Sequence, residues 1–288
     1  LDVKGICGIN FDTALSNIEF VSFDIETTGL SPALAKIVEL SGIRFRLDDD
    51  AVSIFSTLIN PGCLIPPQVT AIHGITNEMV ADAPCASEVI PGFFRWIGDP
   101  DIVLVAHNAS FDLGFLKFAI AKEQLPVPMN HVIDTLSLSR RLVEDVPNYK
   151  LSTLTSELAL GGGGYHRALS DSHHVRNLLT HLIKSNSLKR WQDVAELKCL
   201  QNFGVVHDVS DSMSSPPHLA GFIEAIRQAI QGNLSVSFKY KGVHSSKRRV
   251  SPTALIEDKG VFYLTGNCHR MLEQRTFRVD RMHDLAVV

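Results

Sequence analysis

A chain of 288 residues with 45% apolar and 20% charged side chains is too long for one core of ordinary size and too apolar for extended disorder, so two globular domains are expected. No stretch of 18 apolar residues and no signal-peptide pattern occur, and five scattered cysteines (Cys7, Cys63, Cys85, Cys199, Cys268) without a Cys-x-x-Cys pair argue against a disulfide framework or a zinc site; reduced thiols in the cytoplasm are the expectation. The net charge of −4 hides a division: 16 basic against 25 acidic residues over 1–217, net −9, and 11 against 6 over 218–288, net +5. An acidic portion that concentrates cations is thus joined to a basic one that can meet phosphates.

In chain order, Glu19 to Ile25, Ile37 to Leu47 and Ala51 to Ile59 read as strands, with Asp48 to Asp50 a polar turn, which makes a β-meander. A buried-type strand follows at Ile102 to Val105. Helical spacing then runs through Phe111, Phe115, Phe118 and Ala119 over Ser110 to Glu123. His131 to Ile133 is a short strand, with Asp134 placed to cap the next helix, and Ser152 is placed to cap another over Thr153 to Ala159. Gly161 to Gly164 lacks the Lys-Ser/Thr of a phosphate loop and the spacing of a dinucleotide fingerprint, so it reads as a flexible loop. Ala168 to Lys184 is a longer helix with Val175, Leu178, Leu179 and Leu182 on one face. Strands first, then alternating strand and helix, imply an α/β domain over residues 1–185 with a mixed sheet and helices packed on it. Residues 186–217 read as a linker with a helix at Leu188 to Leu197 and a loop-like end at Ser210 to Pro217. Residues 218–288 read as a second domain, an amphipathic helix (Leu219 to Ile230) and four or five short strands with the composition of a small β-barrel.

Asp24 and Glu26 are two apart at a strand end, which puts both carboxylates on one face. There they repel unless a cation lies between them, and a divalent metal resolves the cost of burying them. Thr27 to Leu30 forms a turn whose glycine permits close approach of a ligand. His107-Asn108-Ala-Ser-Phe-Asp112 follows a strand, placing Asp112 in the first turn of a helix, where the dipole favours an anion. His166 ends the glycine-rich loop and precedes Asp171 in the first turn of the next helix. Such a set suits phosphodiester hydrolysis by two hard cations, with a near-neutral histidine taking the proton from the attacking water. A flexible loop would let that histidine swing in when substrate is bound. By contrast His107, His173 and His174 read as packing or solvated positions, and Asp134 as a helix cap.

Phe-Asp24-Ile-Glu26-Thr-Thr-Gly-Leu30, His-Asn108-Ala-Ser-Phe-Asp112 and His166-(four residues)-Asp171 resemble, in order and spacing, the three motifs of the DEDDh (DnaQ-like) 3′–5′ exonucleases. Ala71-Ile-His73-Gly-Ile-Thr76 resembles a further segment of the proofreading branch, so the likeness covers about residues 18–185. It implies a ribonuclease H-like fold and two divalent cations, Mg²⁺ or Mn²⁺. Asp24, Glu26 and Asp171 would hold one, and Asp24 with Asp112 the other, with His166 as general base. It further implies that Thr28 and Leu30 cradle the terminal nucleotide, with Asn108 and His73 in support, and that the substrate is a single-stranded DNA or RNA 3′ end.

Ser235 to Tyr240, Arg248 to Pro252, Val261 to Leu264 and Arg275 to Arg281 resemble a WYL domain, a small Sm-like barrel of bacterial regulators, with Phe262-Tyr263-Leu264 in place of the name-giving triplet. The resemblance implies sensing of a nucleic-acid or nucleotide ligand, with Tyr263, Arg249, Arg275, Arg278 and Arg281 as binding residues. Arg275 and Arg281 are six apart on what should be one extended segment, so they should share a face. Phe262 removes an indole N–H and any hydrogen bond it would make. The reading is an exonuclease fed or gated by a basic domain, in a stand-alone repair, RNA-processing or defence role. The alternative is a nucleic-acid-sensing regulator whose nuclease fold binds ends without turnover, disfavoured because no motif carboxylate is missing.

Overall fold

The computed structural model describes residues 9–33, 35–49, 51–203, 219–241, 245–258 and 261–288; Cys7, Asp50 and the stretch Ser210 to Pro217 lie outside them. The chain divides into two compact units, one of residues up to Leu116 with Pro128–Phe203, the other of Lys117–Val127 with the C-terminal region to Val288.

In the first unit the meander is formed by β1 (Phe20–Thr27), β2 (Ile37–Phe45) and β3 (Ser53–Leu58). Three helices follow, α1 (Pro67–His73), α2 (Asn77–Val80) and α3 (Ala86–Ile97), then β4 (Val103–Ala106) and α4 (Ser110–Lys122), which belongs to this unit only as far as Leu116. The chain continues through β5 (Val132–Asp134), α5 (Thr135–Leu142), α6 (Leu151–Glu157), α7 (Ala168–Ser185), α8 (Trp191–Glu196) and β6 (Leu200–Gln201). The sheet order is β3-β2-β1-β4-β5-β6: β1, β4 and β5 run parallel, and the other pairs are antiparallel. This is the mixed sheet expected.

Strand β1 is central because its residues are buried on both faces. Phe23 meets Phe93 of α3 with ring centroids 6.2 Å apart, while Phe20 on the other face joins the cluster built by Leu178 and Leu182 of α7. Phe20 also stacks on Phe45, its cross-strand partner, at 5.6 Å, a pair of the kind that contributes about 0.5–1 kcal/mol beyond burial. The sheet is therefore sandwiched, and the α7 face of β1 is the one that carries Asp24 and Glu26.

Two expectations need correction here. Ser152 does not cap α6: the helix already begins at Leu151, with Lys150 at its N-cap and no side-chain cap. The stretch expected to open the linker belongs to the first unit instead. Trp191 (2% exposed), Val194 and Cys199 enter its core, and β6 pairs with β5. Burial of an indole outweighs the polar, Lys-rich surroundings that made the segment look like a connection.

The second unit contains α9 (Ala220–Gln231) and strands β7 (Val236–Lys241), β8 (Ser245–Asp258), β9 (Val261–Cys268), β10 (Glu273–Arg278) and β11 (Met282–Val287). Ile223, Ile226 and Ala229 of α9 pack with Phe238, Leu264 and Phe277 into one core. The order is β10-β9-β8-β7-β11, antiparallel throughout. Among the described residues β10 and β11 do not pair, so the expected closed barrel is not found; the sheet is open.

The supposed single extended segment from Arg275 to Arg281 is also broken. Val279–Arg281 is a 3-10 turn, which buries Val279 and sends β10 and β11 to opposite edges. Even spacing therefore does not place Arg275 and Arg281 on one face. Among the described residues no helix is long and apolar enough to cross a membrane, and Cys63, Cys85, Cys199 and Cys268 are free thiols.

Candidate active site

The site is built at the end of β1. Glu26 lies opposite Glu39 of β2, Asp24 opposite Ser41, and a register shift between Glu26 and Thr27 turns the strand out into the Thr27 to Leu30 loop. Asp112 lies in the first turn of α4 and is 2% exposed; the backbone N–H of Ile25 donates to its Oδ1 at 3.2 Å, tying the helix to β1 between the two strand carboxylates. Asp171, in the first turn of α7, accepts the backbone N–H of His166 on Oδ2 at 2.9 Å. Its buried Oδ1 has no hydrogen-bond partner among the described residues.

Stretches separated by more than 140 residues thus converge, and their electrostatics record the crowding. Burial, then the charges of Asp112, Glu26, Asp171 and Glu39, hold the Asp24 carboxyl well above the usual carboxylate range. Burial and the charges of Asp171, Glu39 and Asp112 push Glu26 up to about 8, with Arg167 opposing. Asp112 is also pushed to about 8, mainly by burial, against the backbone N–H groups it accepts. Burial raises Asp171, and its bond from the His166 N–H pulls the other way.

Ligand atoms of Glu26, His166 and Asp171 all lie within 4.8 Å of one another. Carboxylates that ionise only at a cost, one of them with an orphaned oxygen, together with an imidazole, form a donor set that fits a hard divalent cation. Asp24 and Asp112 stand outside that triplet, within electrostatic reach of it.

The remaining candidate residues are placed as follows. Leu30, on the loop that follows β1, is 86% exposed. Thr28 is buried, and its hydroxyl accepts the N–H of Lys36 at 2.9 Å. His73 is buried at the end of α1; its Nδ1 accepts the N–H of Ile75 at 3.0 Å, so Nε2 carries the proton, and that nitrogen lacks a partner of normal geometry among the described residues. Asn108 is exposed with φ 60°. The His107 ring is occupied structurally, at 2.9 Å from the Tyr149 carbonyl and 3.0 Å from the Thr135 hydroxyl. In the second unit Arg249, Arg275 and Arg281 are exposed, Arg278 is paired with Asp280, and Tyr263 is 8% exposed with its ring edge-on to Phe118 at 5.3 Å.

Sequence reasoning missed two groups. Glu39, 3% exposed, accepts from Arg167 Nη2 at 2.8 Å, from Arg167 Nε and from the Ala168 N–H. Its signal was a lone carboxylate between Val38 and Leu40 in an apolar strand, a position where an unpaired charge is rarely tolerated. Asp134 caps α5 as expected, but its Oδ1 also accepts the N–H groups of Asn108 and Ala109 at 2.9 and 3.2 Å, fixing the turn that leads to Asp112. No sequence pattern announced that second task.

A meander continued by parallel strands, with carboxylates meeting at the end of its central strand, defines a ribonuclease H-like exonuclease fold. The chain belongs to the RNase T exonuclease family, whose model matches residues 21–179, and a WYL domain matches residues 221–287. The PolC-type DNA polymerase III of Bacillus subtilis is 37% identical over 186 residues, 64% of this chain. That of Caldanaerobacter subterraneus is 40% identical over 166 residues, 58% of this chain. The matched stretches make up only 13% and 12% of those far longer relatives. Among solved structures, E. coli exonuclease I in complex with a dA16 oligonucleotide matches 87% of this chain and 55% of its own, with a TM-score of 0.54; at 15% identity the likeness is one of fold.

Proposed function

We propose that the chain is a 3′–5′ exonuclease that depends on two divalent cations, Mg²⁺ or Mn²⁺, and hydrolyses phosphodiester bonds at a single-stranded DNA or RNA end. The observation that carries this reading is the convergence of Asp24, Glu26, Asp112, Asp171 and His166 at one strand end. Asp24, Glu26 and Asp171 would hold one cation, and Asp24 with Asp112 the other. When bound, the ions supply charge neutralisation at the attacking and leaving oxygens of an in-line displacement.

The chain's own groups do the rest. Ile25 and His166 fix Asp112 and Asp171 through backbone N–H bonds, so two of the carboxylates are preset. His166, the exposed member of the set, takes the proton of the attacking water. Exposed Leu30 would offer an apolar surface to the terminal nucleotide, with Thr28, Asn108 and His73 in support. The fold likeness to an exonuclease captured with an oligonucleotide supports a nucleic-acid substrate. The WYL domain would bind nucleic acid or a nucleotide through Arg249, Arg275 and Arg281, with Arg278 and Tyr263 shaping that surface, and regulate or feed the nuclease.

The test is an oligonucleotide labelled at the 3′ or the 5′ end, with Mg²⁺ or Mn²⁺. The wild type should release mononucleotide label from the 3′ end first, and Asp24→Ala or Asp171→Ala should lower the rate by at least about a hundredfold. Undiminished hydrolysis in either variant, or release from the 5′ end first, would overturn the assignment. Binding without turnover in the wild type would favour an end-sensing regulator.

A further inference from the structure

His166 has φ 65°, and the loop before it repeats that conformation at Gly161 (91°), Gly163 (100°) and Gly164 (71°). Such a run is not held by backbone preference, and the non-glycine His166 is strained there. Two groups of side chains hold it instead.

Before His166, the Tyr165 ring stacks on His174 with centroids 4.5 Å apart, and the Tyr165 hydroxyl is 2.5 Å from Thr155 Oγ1 of α6. His174 Nε2 is 3.0 Å from the Gly163 carbonyl; a carbonyl only accepts, so this nitrogen carries the proton and donates. After His166, Arg167 grips buried Glu39 through Nε and Nη2, and the Ala168 N–H at the start of α7 donates to the same carboxylate. With these bonds on its two oxygens, Glu39 takes no part in the group of potential ligand atoms, although it stands opposite Glu26 across β1 and β2.

We infer that Glu39, Arg167, Tyr165 and His174 are positioning residues that clamp the His166 turn from both sides, so that the imidazole and Asp171 are preset against Glu26. The loop is then a fixed mount, contrary to the swinging arm its four glycines suggest. The glycines supply left-handed backbone, and the clamp removes the freedom they would otherwise bring. The charge of Arg167 also offsets the crowding at Glu26, which a neutral clamp would leave in place.

The inference rests on the exonuclease reading only for its effect on rate; the rigidity of the turn is measurable without metal. In Glu39→Gln, one carboxylate oxygen becomes an N–H₂ that cannot accept and the charge is gone, so the bonds from Arg167 and the Ala168 N–H cannot all be kept and the grip is weakened. In His174→Gln, the ring that backs Tyr165 is gone. Hydrogen exchange of peptides spanning 161–168 in the full chain, in EDTA, should speed up by about tenfold or more in both variants, while exchange in β1 and β4 stays as in the wild type. With Mn²⁺ and a 3′-labelled oligonucleotide, kcat should fall by roughly ten- to a hundredfold with KM little changed. Tyr165→Phe keeps the stack and should show a smaller change of the same kind.

If Glu39→Gln does not fold, His174→Gln and Tyr165→Phe carry the test. Unchanged exchange over 161–168, or faster exchange with unaltered kcat, overturns the inference. Asp24→Ala separates the two readings: hydrolysis that survives it removes the exonuclease assignment, and the exchange result stands apart from that outcome.

Discussion

At the scale of residues, the site is a balance between like charges and the groups that hold them. In the metal-free protein Asp24, Glu26, Asp112 and Asp171 all have carboxyls raised above the usual range, Glu26 and Asp112 to about 8. An acid whose pKa rises on folding binds more protons in the folded state than in the unfolded one. Its effect on stability is therefore absent below the unfolded value and becomes a loss as pH climbs towards the folded value. The melting temperature in EDTA should fall between about pH 5 and about pH 8, and Mn²⁺ should restore it more at the upper end than at the lower. A metal-free melting temperature that is flat or rises across that window would contradict the convergence of these four carboxylates. Asp134 tests the supporting layer. Its carboxylate accepts from Asn108, Ala109, Leu136 and Ser137, so Asp134→Ala leaves several buried donors unpaired. It should cost about 2 kcal/mol in urea unfolding and slow hydrolysis without touching substrate.

At the scale of elements, local patterns found most of the first sheet because its strands are apolar runs and its helices carry a clear face. The three carboxylate motifs were legible for a related reason: a carboxylate at a strand end or in a first helical turn has a known direction even before the fold is seen. What stayed hidden depended on long-range pairing. The bond between Glu39 and Arg167 spans 128 residues, and nothing at either end states the partner. The helix α3 contains Pro91, which argues against a helix interior, yet Val89, Ile90, Phe93 and Ile97 bury one face of it. The helix expected at Leu188 to Leu197 is there as α8, but its place in the core through Trp191 and the short β6 that follows were masked by polar neighbours. This last correction is testable. Trp191→Ala should destabilise the first unit by about 3–5 kcal/mol in denaturant unfolding. A fragment ending at residue 185 should be markedly less stable than one ending at 203, because the shorter one strips β6 from β5 and uncovers the core beneath α8. Equal melting temperatures for the two fragments would return residues 186–203 to the role of a linker.

At the scale of the whole molecule, charge is unevenly divided along the chain, with net −9 before residue 218 and net +5 from there on. The acidic surplus suits a part that must attract cations, and the basic surplus suits one that meets phosphates. Within the second unit the basic residues are not equivalent. Arg278 is ion-paired with Asp280 at the corner between β10 and β11, so its charge is largely answered within the protein, whereas Arg249 is exposed on β8 and Arg281 is exposed at the end of the corner turn itself. Tyr263 is buried, so a stacking role would require it to leave its place beside Phe118. Affinity for single strands, if this domain supplies it, should therefore come from charge more than from stacking, and should depend steeply on salt. Arg249→Ala combined with Arg281→Ala should weaken binding of an oligonucleotide to the full chain. It should also flatten the plot of log K against log salt by about 1.4, from roughly 0.7 for each phosphate that an arginine no longer neutralises. Arg278→Ala should change the slope far less, since it frees Asp280 as it removes the arginine. Binding with an unaltered slope in the double variant would mean that the C-terminal domain reads something other than a phosphate backbone.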